Sequence, residues 1–146
     1  MNKFMDWEEC EEKFIRKVQV DQNKIKSILK AVEKRQIMIS KLGADKDTVS
    51  FVVENYYEII KELLVALLLS KGLKSSNHQC LISYFYKNYP ELESYTHLTA
   101  EMCFLRNRLT YYGELIDYSF YDKNKDKIIK IVLKLKEILK SHNLYK

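Results

Sequence analysis

Apolar residues recur every three or four positions along almost the whole chain, the spacing that lines one face of an α-helix, and six helical segments can be bracketed. The first is expected to begin at Asp6, with Asp6 and Glu9 as a capping-box pair, and to reach about Val18. Asp21 can cap a second, whose stripe is Ile25, Ile28, Leu29, Val32, Ile39 and Leu42. Gly43 stops it, because the left-handed conformation that closes a helix is resisted by any residue with a β-carbon. The third runs from about Asp47 to Lys71 and carries Val52, Val53, Tyr56, Tyr57, Ile60, Leu63, Leu64, Leu67 and Leu68. Apolar residues cover most of its circumference in the second half, which makes it the central helix, buried on several sides. Gly72 ends it. Ser76 and Gln79 form the next capping box, opening a short fourth helix that stops before Pro90. The fifth spans about Thr96 to Tyr112 and ends at Gly113. The sixth spans about Lys125 to Ser141, with Ile128, Ile131, Val132, Leu135 and Ile138 on one face. All three glycines thus fall at predicted helix ends, and independent signals agree.

Three glycines and one proline are too little punctuation for a barrel or sandwich of short strands. The expected fold is all-α, an up-and-down bundle of five to six helices with no sheet, in a single domain over residues 1–146. An apolar content of 47% with 31% charged residues excludes a disordered chain. Cys10, Cys80 and Cys103 are odd in number and far apart, which reads as three buried, reduced thiols rather than a disulfide framework or a zinc knuckle. The opening MNKFMDWEEC turns acidic where a secretion signal needs an apolar core. The greasiest run, Leu63 to Leu69, is far short of the roughly 20 apolar residues of a membrane span. Cytoplasmic localisation without membrane association is the expectation.

Charge changes the picture in one place. The net charge is +5, yet from Lys123 to Lys146 eight lysines face only Asp126 and Glu137, a balance of +6 that leaves the remainder at −1. Lys123, Lys127, Lys130 and Lys134 recur at helical spacing as one basic stripe, a candidate surface for RNA or phosphate. A solvated face is the plainer reading, and no aromatic is interleaved to stack on bases.

The candidate chemistry lies at the end of the fifth helix, in Leu105-Arg106-Asn107-Arg108-Leu109-Thr110-Tyr111-Tyr112-Gly113. This stretch resembles the signature of the HEPN family of small archaeal and bacterial helical proteins: an Arg, often followed by a polar residue such as Asn, then a His after four to six residues. Upstream, Asn55-Tyr56-Tyr57-Glu58-Ile59-Ile60-Lys61-Glu62-Leu63-Leu64, Ala66-Leu67-Leu68, Gly72 and His78 are similar to the long helix and turn of HEPN proteins that pair with small nucleotidyltransferases. The resemblance implies a homodimer whose two motifs meet in a cleft and cut RNA without metal. In that scheme the His takes a proton from a ribose 2′-hydroxyl and the Arg steadies the phosphate. Histidine titrates near neutrality and guanidinium offers a fixed fork of donors, which is why those residue types suit the task.

The chain departs from the signature where the His belongs. Tyr111, Tyr112 and Gly113 occupy those positions, and no histidine follows until His142. A phenol of pKa about 10 is ionised in about one molecule in a thousand at pH 7. Loss of a positioned base costs about 10²–10⁴-fold. Arg106, Asn107, Tyr111 and Tyr112 are therefore a degenerate catalytic set, and Arg106, Arg108, Lys127, Lys130 and Lys134 are candidates for contacting nucleic acid or nucleotide. Arg106 and Arg108 also fit a solvated helix end that complements the helix dipole, and the two tyrosines fit core or dimer contacts. His78, beside Asn77 in the first turn of the fourth helix, fits local packing or a base lent across a dimer. His97 lies nine residues before Arg106, about 900° of rotation, and so faces the other way. Glycine-rich phosphate loops, paired carboxylates and zinc spacings are missing, so neither a cofactor nor a metal is expected.

The leading expectation is a HEPN-like component of a toxin–antitoxin-type system, homodimeric and paired with a minimal nucleotidyltransferase. It would bind nucleotide, RNA or that partner, with ribonuclease activity weak or lost. The alternatives are an active metal-independent endoribonuclease that uses Arg106 with a non-standard base, and a purely structural helical module.

Overall fold

The computed structural model describes residues 4–142, and over these the chain is an all-α bundle of six helices with one small two-stranded sheet. In order these are α1 (Trp7–Lys13), β1 (Ile15–Lys17), α2 (Gln22–Leu42), α3 (Val49–Ser70), β2 (Leu73–Ser75), α4 (His78–Asn88), a 3₁₀ turn (Pro90–Leu92), α5 (Glu93–Tyr112) and α6 (Tyr118–Ser141).

The caps explain most boundaries. Asp21 accepts a hydrogen bond from the Lys24 amide at 3.1 Å, and α2 closes at Gly43. For α4 the cap is Asn77, not Ser76: its Oδ1 accepts the Gln79 amide at 2.8 Å. Asp6 precedes α1 but makes no side-chain cap bond. Gly113, in the left-handed region, ends α5 as expected.

Periodicity carries the first helix to Val18; the structure breaks it at Phe14 and turns Ile15–Lys17 into an antiparallel partner of Leu73–Ser75. The pair is sealed at both ends, by Val18 N donating to Gly72 O at 2.9 Å and Ser76 N donating to Phe14 O at 3.0 Å. Gly72 is required here: its φ is +72°, and a β-carbon would meet the Val18 carbonyl oxygen at 3.1 Å. The expectation of no sheet is thus corrected. The strands are partly exposed and lie at the edge of the bundle rather than in its core.

Helix α3 is central. It packs against α2, α4, α5, α6 and β2. Ile59, Ile60, Leu63, Leu64, Leu67 and Leu68 are fully buried, together with Phe85 of α4, Met102 of α5 and Ile128, Ile131 and Leu135 of α6. Its wide apolar surface is therefore consumed within one chain, and it supplies no reason for a second subunit. Ser50, near the start of α3, accepts a hydrogen bond from the Ile116 amide at 2.8 Å and ties down the loop between α5 and α6.

A second correction concerns the cysteines. Cys10 and Cys80 form a disulfide, with their Cα atoms 5.6 Å apart, and only Cys103 is a free, buried thiol. Seventy residues separate the pair in sequence, so spacing alone hides it; α1 packing on α4 brings the two together. Such bonds persist in oxidising surroundings or in exceptional intracellular proteins, which removes one support for the cytoplasmic expectation. Among the described residues no helix is long and apolar enough to cross a membrane.

Candidate functional site

Helix α5 changes character along its length. Its first half buries Thr96, Leu98, Thr99, Ala100, Met102 and Cys103. One turn later Arg106 turns back toward α3, where Glu58 and Lys61 stand one helical turn apart. Arg106 Nη2 lies 3.4 Å from Glu58 Oε1, and Lys61 Nζ lies 2.5 Å from Glu58 Oε2. One carboxylate thus serves two cations, and the trio keeps a net charge of +1. Arg106 Nη1 also donates to Asn107 Oδ1 at 3.1 Å. Its Nε is buried and has no hydrogen-bond partner among the described residues. A donor in that condition costs about 1–3 kcal/mol, so an acceptor that reached it would be well rewarded.

Arg106 and Asn107 line a cleft of about 290 Å³, near the lower limit of the roughly 300–1,000 Å³ of small-molecule sites. Below them Tyr57 donates its hydroxyl hydrogen to Cys103 Sγ at 3.3 Å, and Asn107 Nδ2 points to the same sulfur at 3.8 Å. Burial, with the Cys103 thiol and Glu58 nearby, pushes the Tyr57 phenol far above its ordinary value. It stays protonated. The opposite wall is the N-terminus of α4: Ser76, Asn77, His78 and Gln79. That wall is braced, because Ser75 Oγ both donates to Asn77 O at 2.6 Å and accepts from Asn77 N at 3.1 Å, and the disulfide begins at Cys80.

His78 therefore shares the cleft with Arg106 inside one protomer. Its ring reaches solvent at the rim, yet packing around it pushes its pKa below the usual histidine value; Lys61 and Arg106 push the same way and Glu58 opposes them. The positive end of the α4 dipole also disfavours the imidazolium. Behind His78 lies a smaller pocket of about 80 Å³ that Lys24 and Lys74 help to line.

The other sequence candidates divide. Tyr111 stands at the mouth of the cleft, 71% exposed, and Tyr112 is outside it at 72%, so neither is a core aromatic. Tyr112 lies under the Arg108 guanidinium, 4.9 Å from carbon to ring centroid. Arg108 itself is held by Glu114, with its Nε donating at 2.7 Å, and does not line the cleft. Lys127, Lys130 and Lys134 sit along α6 and do not line it either; Lys134 reaches Glu137 at 3.4 Å. His97 packs against Phe4 and Tyr86 and pairs with Glu93 at 3.3 Å, away from Arg106 as its rotation requires. Sequence reasoning misses Tyr57, Glu58, Lys61, Asn77 and Cys103 as site residues. Glu58 and Lys61 do carry a signal, an acid and a base three residues apart on an otherwise apolar helix.

Compared with models of protein families, with curated proteins and with solved structures, the chain matches none.

Proposed function

We propose that the Arg106 cleft binds the phosphate of a nucleotide or of RNA, and that the chain is a HEPN-like component of a toxin–antitoxin-type or nucleotidyltransferase-paired system. The observation that carries the reading is Arg106 itself. It is a guanidinium only 25% exposed, set in a concave site with Asn107, His78 and the positive end of α4, with a buried donor still unpaired. Charged donors held this way suit phosphate oxygens better than a solvated lysine does. A second protomer and a minimal nucleotidyltransferase are part of the same proposal. Tyr111, Tyr112 and Leu115, all more than 70% exposed around the end of α5, are the apolar surface beside the cleft that such a partner would cover.

The test is a titration of a fluorescent single-stranded RNA, and of ATP, with wild-type protein and Arg106→Ala at two salt concentrations. Wild-type binding should weaken as salt rises. Arg106→Ala should lose about tenfold or more, since a hydrogen bond to a charged group is worth about 1.5–3 kcal/mol. Equal binding by the two proteins would remove the reading, and no binding by either would favour a purely structural module.

A second reading, a metal-independent endoribonuclease, is supported by one specific observation: a histidine lines the same cleft as Arg106 although none follows it in the motif.

A further inference from the structure

We infer that the groove between α2 and α6 is a docking site for an acidic amphipathic helix of a partner protein. It goes beyond the phosphate-binding reading and is independent of it, because the groove and the Arg106 cleft share no lining residue.

The groove exists because α2 and α6 each pack on α3 while making little contact with one another. Lys136 of α6 reaches across the gap to Glu33 at 2.9 Å and to Gln36. Beyond that bridge the helices border a hollow of about 250 Å³. Tyr56 of α3 and the buried Val132 form its floor, with Gln36 and Ser40 on one side and Ile129 and Leu133 on the other. Ile129 is 41% exposed and Leu133 59%. Ile37, 55% exposed, shares the side of α2 that carries Glu33 and Ser40, its neighbours at four and three residues. Three large aliphatic side chains thus border one concavity and stay open to solvent.

The charge around it is one-sided. Helix α2 holds six cations and one acid, a balance of +5, and α6 holds seven lysines and three acids, a balance of +4. The whole chain carries +5, so everything outside these two helices sums to −4. Lys30 lies one turn before Glu33, Lys140 one turn after Lys136, and Lys41 one turn after Ile37. All three are exposed, and none has an ion-pair partner among the described residues. The two helices run in opposite directions, so Lys30 and Lys140 stand at one end of the groove and Lys41 at the other.

An occupant that matches is elongated, apolar along one side and acidic along its edges. A helix meets all three conditions: residues three and four apart form a ridge that fits between two packed helices, and flanking carboxylates reach the lysines. RNA would satisfy the lysines but not the aliphatic rim, and Tyr56, the one ring lining the hollow, is half-buried against Tyr121 rather than presented to a base. A bilayer would touch the crests of α2 and α6 without entering the hollow. At about 250 Å³ the hollow is also below the roughly 300–1,000 Å³ of small-molecule sites and takes side chains instead.

The experiment titrates the full chain with a synthetic peptide of about 14 residues, four helical turns, with leucines at three- and four-residue spacing and glutamates on both flanks. Fluorescence anisotropy reads the affinity, and backbone-amide shifts read the site. Wild-type protein should bind with a Kd of about 100 μM or tighter, with the shifts in α2 and α6. A peptide with lysine in place of each glutamate should bind at least about tenfold more weakly. Leu133→Asp should also weaken binding of the acidic peptide at least about tenfold while leaving RNA binding as in wild type. Should that variant fold poorly, Lys30→Glu with Lys140→Glu decides: it should weaken the acidic peptide and strengthen the basic one, a reversal that a merely destabilised chain does not produce. Loss of RNA binding in Leu133→Asp would make the groove a nucleic-acid surface and overturn the inference. Capture of anionic phospholipid vesicles by a chain that ignores the peptide would overturn it in favour of a membrane surface. Equal affinity for the two peptides, shifts confined to other helices, or no binding up to about 1 mM would overturn it as well.

Discussion

Two cationic regions of this molecule differ in everything except the sign of their charge. Along α6, lysines recur at helical spacing: Lys123 and Lys130 are exposed, and Lys134 pairs with the neighbouring Glu137. Around Arg106 there are fewer charges, but they are built in. A carboxylate 13% exposed fixes the guanidinium, an asparagine accepts from it, and the opposite wall is pinned by a disulfide two residues beyond His78. Charge density along a sequence marks where a polyanion is drawn. A concave arrangement with fixed donors marks where one group of it can be held.

The largest effect that would sharpen this contrast is on the disulfide. Closing a loop of 70 residues is worth about 4 kcal/mol in the chain-entropy account. Cys10→Ser with Cys80→Ser should lower the unfolding free energy in urea by up to that amount. It should also weaken RNA binding at the cleft, because the α4 wall loses its anchor. A stability change under about 1 kcal/mol would mean that packing of α1 alone holds the wall.

Glu58→Gln should act in two directions. Removing the carboxylate shared by Lys61 and Arg106 should cost about 1–3 kcal/mol of stability in the same denaturation assay. The freed positive charge should tighten RNA binding a few-fold. Weaker binding would show that Glu58 serves to position Arg106 more than it neutralises it.

Smaller still is the expected effect of the lysines. Lys127→Glu with Lys130→Glu and Lys134→Glu should reduce the salt dependence of RNA binding, by roughly 0.7 in the log–log slope for each phosphate of a single strand that is no longer neutralised. The affinity at the cleft should otherwise survive. A weakening as large as that of Arg106→Ala would place the site on α6.

The smallest effect concerns pH. The pKa of His78 is lowered in the folded chain, so as pH falls through about 6.5 the unfolded chain takes up this proton first. The contribution of the neutral ring is present above that pH and is lost below it. Wild-type protein should therefore lose stability relative to His78→Gln between pH 7 and pH 5, measured by thermal melts. The opposite trend would mean that the imidazolium gains a partner on folding.

How much of the molecule is legible in its sequence depends on the range of the interaction. Helices α2, α3 and α5 follow from periodicity and from a glycine at or just past the stop, which are local facts; α6 follows only from Lys125 on, and its first two turns, which begin at Tyr118 where a loop is expected, do not. The break at Phe14 does not: Ile15–Lys17 is too short to show an alternating pattern, and it is a strand only because Leu73–Ser75, almost sixty residues away, completes its hydrogen bonds. Cys10 and Cys80 are hidden for the same reason. In the site, Arg106 and Asn107 are visible because they are adjacent. His78 is visible only as a residue of its own helix, since its place opposite Arg106 is set by how α4 and α5 pack on α3.

The most direct measurement of the central claim is an NMR titration of the full chain with a short single-stranded RNA, following arginine Nε–H groups, histidine rings and backbone amides. The account expects the largest shifts at Arg106 Nε, Asn107, the His78 ring and the first turn of α4. Shifts confined to the lysines of α6, with Arg106 Nε unmoved, would contradict it.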